Sequence, residues 1–344
     1  MREPGRKNPH TDREWLLPMA AVAAAQFGLW WILWAKGFAK QPMLQAYSTI
    51  SLIGLGLAFV PFVLWYLFRI HRAGERQPLK RIGNDIRLPR IAAILGAMVL
   101  APVTASAFTA AKSALPFAVP FYLDGALASF ERALFGVDPW RISHSLLGWA
   151  TPAIDRLYLT WLPVMLVAFN LVLLSKPSEL KTRSLIAYLL MWPAVGTLGS
   201  YLFSSAGPIF YNAIFKDGFA DLIPTLQREG ATGTLLAYDH LWHAYSGQSV
   251  ALGGGISAMP SMHIAMAFWL ALTVRASFPK VQWAGWAYFA LIWVGSVHLG
   301  WHYVLDGLAG TIGAALVWRA APWLAFRGSG RDAMGAAALA EPAQ

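Results

Sequence analysis

Long apolar runs alternate with short polar connections along most of the chain, and their lengths predict its elements. Residues 15–35 carry no charge over a length that suffices to cross a hydrocarbon core, which takes ~20 apolar residues in a helix. Trp30, Trp31 and Trp34 gather at the far end of this run as interfacial anchors. Further runs at 42–68, 91–111, 157–175, 184–203, 256–274, 281–297 and 302–321 bring the expected number of spanning helices to about eight.

Two stretches break this rhythm. Over 112–151, Pro116 and Pro120 interrupt the apolar character, after which 124–135 places apolar residues at helical spacing with Glu131 and Arg132 among them. That pattern predicts a helix lying in the membrane interface, ended by Gly136 and the Asp138-Pro139 step. Residues 204–255 form the longest non-spanning segment, and such a length points to function when the segment is ordered. It closes on Gly253-Gly254-Gly255, which frees the backbone ahead of the next run. The polar residues 1–14 and the Gly- and Ala-rich residues 328–344 read as loose tails. A cleaved signal peptide is not expected, because the first apolar run is too long for one.

Composition agrees with the pattern: 57% of residues are hydrophobic and 13% charged, against ~25% charged in globular domains. The chain is therefore expected to be an all-α polytopic membrane protein. It has no cysteine, which excludes a disulfide framework, a thiolate metal site and a thiol nucleophile. The net charge of +10 does not imply a nucleic-acid partner, because Arg69, Arg72, Arg76, Lys80, Arg81, Arg87 and Arg90 crowd one connection, as a cytoplasmic loop does. The same side then receives 176–183, 275–280 and the C-terminal tail, all net basic, while 112–151, 204–255 and 298–301 fall outside.

Ionisable residues at the edges of spanning runs are costly and by default functional. Pro260, Ser261 and His263 open one run; His298, His302, Tyr303 and Asp306 open another. His302 and Asp306, four apart, are expected on one helix face, where a carboxylate orients an imidazole. Pro260 suits the first helical position, and the free N–H groups of that turn, with the Ser261 hydroxyl, make a phosphate site. The last run begins the same way, so two helix N-termini are expected to converge on one anion. Two other readings of these residues stay open: a metal-dependent hydrolase with His298, His302 and Asp306 as ligands, and a buried polar network in a transporter without enzymatic activity. His240 and His243 read as surface or packing residues, and Asp155, Tyr201 and Tyr211 as interfacial anchors, with the shaping of a polar pocket as their alternative.

Met259-Pro260-Ser261-Met262-His263 resembles the Pro-Ser-x-His signature of the type 2 phosphatidic acid phosphatase superfamily, and His302 with Asp306 resembles the His-x3-Asp of its third signature. The flavour is most similar to the inositol phosphorylceramide synthase branch, as is the amphipathic helix followed by Gly136-Val137-Asp138-Pro139. The resemblance implies a catalytic membrane domain over 112–325, after a tail at 1–14 and three helices over 15–111 and before a tail at 326–344. It implies lipid phosphate or phosphodiester chemistry on the outer face of the cytoplasmic membrane, without cofactor or metal. In that scheme His302 is the nucleophile that becomes a phosphohistidine, Asp306 fixes its tautomer, and His263 is the general acid and base. The donor would be a phospholipid such as phosphatidylinositol, or a polyprenyl phosphate, and the acceptor a lipid alcohol or water. Two departures stand out. The Lys and Arg of the family's first signature are missing, with Ser204-Ser205-Ala206-Gly207-Pro208 as the nearest counterpart, and Ser296-Val297 replaces the Ser-Arg before the third. Ser296, Gly207 and His298 are thus candidate phosphate contacts beside Ser261 and Pro260. Lys112, Arg132, Arg141, Lys216, Arg228 and His298 are the cations available to replace those lost. The loss favours a singly charged diester, and hence a transferase.

Overall fold

The fold was described from a computed structural model over residues 11–75, 77, 80 and 87–326. Arg76, Arg81 and the tail at 328–344 lie outside the described residues. All regular structure among the described residues is helical. Three long helices come first: α1 (Arg13–Ala35), α2 (Leu44–Arg72) and α3 (Leu88–Ala118). The third runs past the expected limit at 111, because Pro116 lies in its last turn and does not end it until Val119 turns extended. The helix expected at the interface follows as α4 (Asp124–Phe135), ended by Gly136 with φ 81°. Its faces explain its placement: Asp124, Leu127, Ala128 and Glu131 are buried, while Phe130, Leu134 and Phe135 point outward. An exposed apolar face over a buried acidic one suits a helix resting on lipid tails.

The fourth span begins earlier than its apolar run. Helices α5 (Pro139–Leu147), α6 (Thr151–Leu159) and α7 (Trp161–Leu174) follow one another nearly without interruption. Next comes α8 (Glu179–Met191), which continues through a wide π-helical stretch, Trp192–Gly199. The segment at 204–255 is not a bare loop but three short helices, α9 (Pro208–Phe215), α10 (Leu222–Arg228) and α11 (Thr232–Ser246). Asp155 holds the start of α11 by accepting from the N–H groups of Gly233 and Thr234, both at 2.8 Å. The chain ends with α12 (Met262–Ser277), α13 (Gln282–His298) and α14 (Val304–Phe326).

Among the described residues, six helical segments are long and apolar enough to cross a membrane. Helices α12 and α13, of 16 and 17 residues, are shorter, about 25 Å at ~1.5 Å per residue against a ~30 Å core. They pack as a close pair, with Gly285 of α13 set against Ala271 and Val274 of α12.

One core, around Trp15, Met19, Leu185, Trp269 and Ala314, joins α1, α8, α12 and α14, so the first helices are part of the bundle. A second, around Trp140, Tyr158, Phe210, Leu222 and Tyr303, seats α9–α11 on α4–α6. Basic residues bind the first end together. Lys181 pairs with Asp12 at 2.7 Å, Arg90 donates to the carbonyls of Leu174 and Ser175, and Arg183 donates to that of Trp318 at 3.1 Å.

Candidate active site

The two signature stretches meet at the end of the bundle opposite these basic residues. Helix α12 starts later than its apolar run: Ser261 is its N-cap, and its hydroxyl oxygen accepts from the N–H of Ile264 at 3.3 Å. Pro260 therefore precedes the cap and does not occupy the first helical position. Its ring rests on Gly199, where a Cβ would stand 2.9 Å from Pro260 Cδ. Ser261 N–H donates to the carbonyl of Asp306 at 3.0 Å, which ties the start of α12 to that of α14.

His302 does not share a helix with Asp306 or with His298. Helix α13 stops at His298, Gly300 turns with φ 72°, and α14 starts at Val304. The pair still meets, because Asp306 reaches back over the first turn of α14. Its Oδ2 accepts from the N–H of Tyr303 at 2.9 Å and lies 3.4 Å from His302 Nδ1. On the other edge of the ring, His302 Nε2 is 3.3 Å from His263 Nδ1. His263 is itself fixed by two aromatic neighbours, Tyr158 at 5.3 Å and, edge to face, Trp161 at 4.3 Å between ring centroids.

Both imidazoles line one cavity of about 380 Å³. It runs between α2, α3 and α7, and Lys112 of α3 faces it too. The other candidate cations do not line it. Arg132 is paired with Asp138 at 2.6 Å, Arg141 with Asp138 and Asp221, Arg228 lies 3.7 Å from Glu229, and Lys216 is exposed.

Behind the histidines lies a layer of carboxylates that the sequence reading missed. Asp124 accepts from the N–H groups of Ala206 at 2.8 Å and Gly207 at 2.9 Å, and from the Tyr303 hydroxyl at 3.1 Å. Glu131 accepts from the N–H of Leu305 at 2.9 Å. Burial pushes both carboxyls up against these hydrogen bonds, Glu131 to about 7. The start of α14 is thus occupied by the protein's own carboxylates, and the expected convergence of two free helix N-termini on one anion does not occur. Gly207 N–H is likewise engaged by Asp124. A sequence signal existed: Asp124, Leu127, Ala128 and Glu131 fall at i, i+3, i+4 and i+7, two acids on the stripe that a helix buries.

Ser296 sits behind the site, its hydroxyl donating to the Ile292 carbonyl at 2.7 Å. His298 faces away from the cavity. Its Nε2 is 2.8 Å from Thr151 Oγ1, its Nδ1 meets the Ser143 hydroxyl, and its ring stacks on His144 at 3.9 Å. His144 in turn lies 2.5 Å from Glu229 through Nδ1 and 2.7 Å from the His298 carbonyl through Nε2. The His298–His302–Asp306 metal set is therefore not assembled. His144, Glu229 and His298 come close enough to suggest another. However, an ion coordinates an imidazole in the ring plane, and these two planes are stacked 7° from parallel, so one ion cannot lie in both. The cluster is a satisfied hydrogen-bond network that anchors the turn leading to His302.

The family model described as the PAP2 superfamily matches residues 125–320. No curated protein and no solved structure matches the chain.

Proposed function

The chain belongs to the PAP2 superfamily, and from that premise we propose that it is a membrane lipid phosphatase or phosphotransferase working through a phosphohistidine at His302. The observation that carries this reading is the meeting of His302, in the turn ahead of α14, with His263 of α12, at 3.3 Å on the wall of one cavity, with Asp306 behind His302. In the first step His302 Nε2 attacks phosphorus, the bond from phosphorus to the lipid oxygen breaks, and His263 gives its proton to the departing alkoxide. Asp306 faces Nδ1 and offsets the positive charge that grows on the ring. In the second step water or a lipid alcohol attacks phosphorus, His263 takes its proton, and the N–P bond breaks. Substrate replaces the contact between the rings, and the 3.4 Å gap between His302 and Asp306 tightens as charge develops, as loosely aligned catalytic contacts do on binding.

Ser261, capping its helix, and Pro260, against Gly199, place His263. Ser296, Gly207 and His298 act from behind the site as supports. The basic end of the bundle suits the cytoplasm, which supports a site on the extracytoplasmic side of the membrane. The donor class is a phospholipid diester such as phosphatidylinositol, as in the inositol phosphorylceramide synthase branch, or a polyprenyl phosphate; a lipid alcohol or water accepts.

The test is incubation of the purified protein with a panel of ³²P-labelled phosphatidic acid, phosphatidylinositol phosphodiester and polyprenyl phosphate, followed by trapping of protein-bound label. Acid-labile label that disappears in His302→Gln supports the proposal. Turnover that survives His302→Gln, or that a chelator abolishes and added metal restores, overturns it.

A further inference from the structure

The described residues place one formal charge in the cavity and leave it unmatched. Among them no Asp, Glu, Arg or second Lys lines it, and the Lys112 side chain has neither a hydrogen bond nor an ion pair with any described residue. A lone ammonium in a largely apolar enclosure is unfavourable unless an anion joins it, so a cavity of this composition is suited to receive one.

The surroundings hold the lysine in place. At Gly255, with φ 92°, a Cβ would stand 2.8 Å from both the Cγ and the backbone carbon of Lys112, so only glycine lets this strand lie directly on the lysine stem. The Tyr47 hydroxyl, hydrogen-bonded to Thr109 one turn before Lys112, accepts from Gly253 N–H at 3.1 Å and pins the same strand from α2.

Beyond Lys112 the cavity continues along α3 past Ala105 to Ala101, opposite Ile50 of α2 and Leu166 of α7. From Lys112 to Ala101 the helix rises about 16 Å at ~1.5 Å per residue. That is about one leaflet of a ~30 Å hydrocarbon core. A charge at one end and an apolar channel of leaflet depth at the other match an upright amphiphile.

We infer that Lys112 holds the phosphate of an alkyl or isoprenyl phosphate ester whose tail lies between α2, α3 and α7, so that two helices preceding the family match complete the substrate site. This rests on the phosphohistidine reading for what happens to the phosphate, but not for its binding.

The experiment measures affinity of the full chain, in nanodiscs, for octyl phosphate, inorganic phosphate and octanol, in wild type and in His302→Gln, where nothing is turned over. Octyl phosphate is expected to bind at least tenfold tighter than inorganic phosphate. Lys112→Met should weaken it at least tenfold and leave octanol unchanged, while Lys112→Arg stays within about threefold of wild type. Ala105→Trp should weaken octyl phosphate and octanol together. If Lys112→Met disturbs octanol as well, Lys112→Arg against Lys112→Gln decides on the same scale. Octyl phosphate affinity indifferent to Lys112 overturns the inference, as does a tail that adds nothing to inorganic phosphate. Phosphoenzyme trapping separates the two ideas. Label on His302 with no effect of Lys112 sinks only this inference, whereas Lys112-dependent binding without label sinks only the catalytic reading.

Discussion

Gly310 offers the sharpest test of how the site is held. It lies on α14 under the first turn of α12, and a Cβ there would stand 2.4 Å from the carbonyl oxygen of Ser261. Restoring a carbon-to-oxygen contact of ~3.3 Å requires the two helices to part by about 0.9 Å. Ser261 cannot yield alone, because its N–H is bonded to the Asp306 carbonyl and its own carbonyl accepts the first helical bond from Ala265, both at 3.0 Å. The shift therefore passes to His263, two residues on, and changes its distance to His302. Overpacking of this kind costs about 1–3 kcal/mol, and a misplacement near 1 Å at the reacting groups costs ~10²-fold in rate. Gly310→Ala should lower the unfolding temperature in detergent moderately and slow phosphoenzyme formation about a hundredfold. Gly28→Ala is the control: its Cβ would meet nothing within 4 Å, so it should keep full activity and be neutral or slightly stabilising. Wild-type rates in Gly310→Ala would refute the claim that this contact sets the spacing of the histidines.

Three further predictions follow from buried charges. Glu131 has its carboxyl raised from 4.5 to about 7 in the folded protein, so its contribution to stability is full below about 4.5 and is lost as pH rises through about 7. Glu131→Gln keeps a neutral acceptor for Leu305 N–H, and the gap in unfolding temperature in its favour should widen from pH 5 to pH 8; a gap independent of pH refutes the assignment. Asp124→Ala strands the N–H groups of Ala206 and Gly207 and the Tyr303 hydroxyl, at ~1–3 kcal/mol each if water does not replace the acceptor, and should lower the denaturation midpoint and the rate together. Lys181→Met leaves Asp12 buried without its partner and should destabilise by ~3–5 kcal/mol, whereas Asp12→Leu with Lys181→Met should recover most of that, as measured in a double-mutant cycle of thermal unfolding.

The long apolar helices were legible because each depends on a long local run of apolar residues, and the helix at 124–135 because its residues repeat at helical spacing. Its end at 135 follows from Gly136 directly after it. Less local features were not legible. Residues 256–261 look like part of the apolar helix yet form a non-helical lead-in, because Ser261 supplies the cap and the backbone ahead of it pairs elsewhere, as Ala258 N–H does with the Ser205 carbonyl at 2.8 Å. His298 and His302 look like one helix face, but Gly300 puts a turn between them and sends His298 to His144. The roles of Asp124 and Glu131 depend on partners 82 and 174 residues away. No spacing within one helix encodes such pairings. Lys112 was one of six cations on equal footing in the sequence, and only tertiary placement separates it from the five that are paired, exposed or turned away from the cavity.

These placements divide the site into two layers. The backbone N–H groups best suited to an anion, those of Ala206, Gly207, Tyr303 and Leu305, are all taken by Asp124, Asp306 and Glu131. A phosphate in the cavity would then be held by side chains in front, with Lys112 the only formal cation lining it among the described residues. Carboxylates behind and an ammonium in front also order the charges along the reaction. On the proposed mechanism a substrate anion is drawn to the lysine side, while the positive charge that builds on His302 during attack faces Asp306. Neither layer can substitute for the other, because acids that bind the backbone would repel a phosphate placed among them. On this argument a variant that frees the rear N–H groups, such as Asp124→Ala, cannot rescue Lys112→Met. Restored phosphate binding in that double variant would show that the rear layer holds substrate after all.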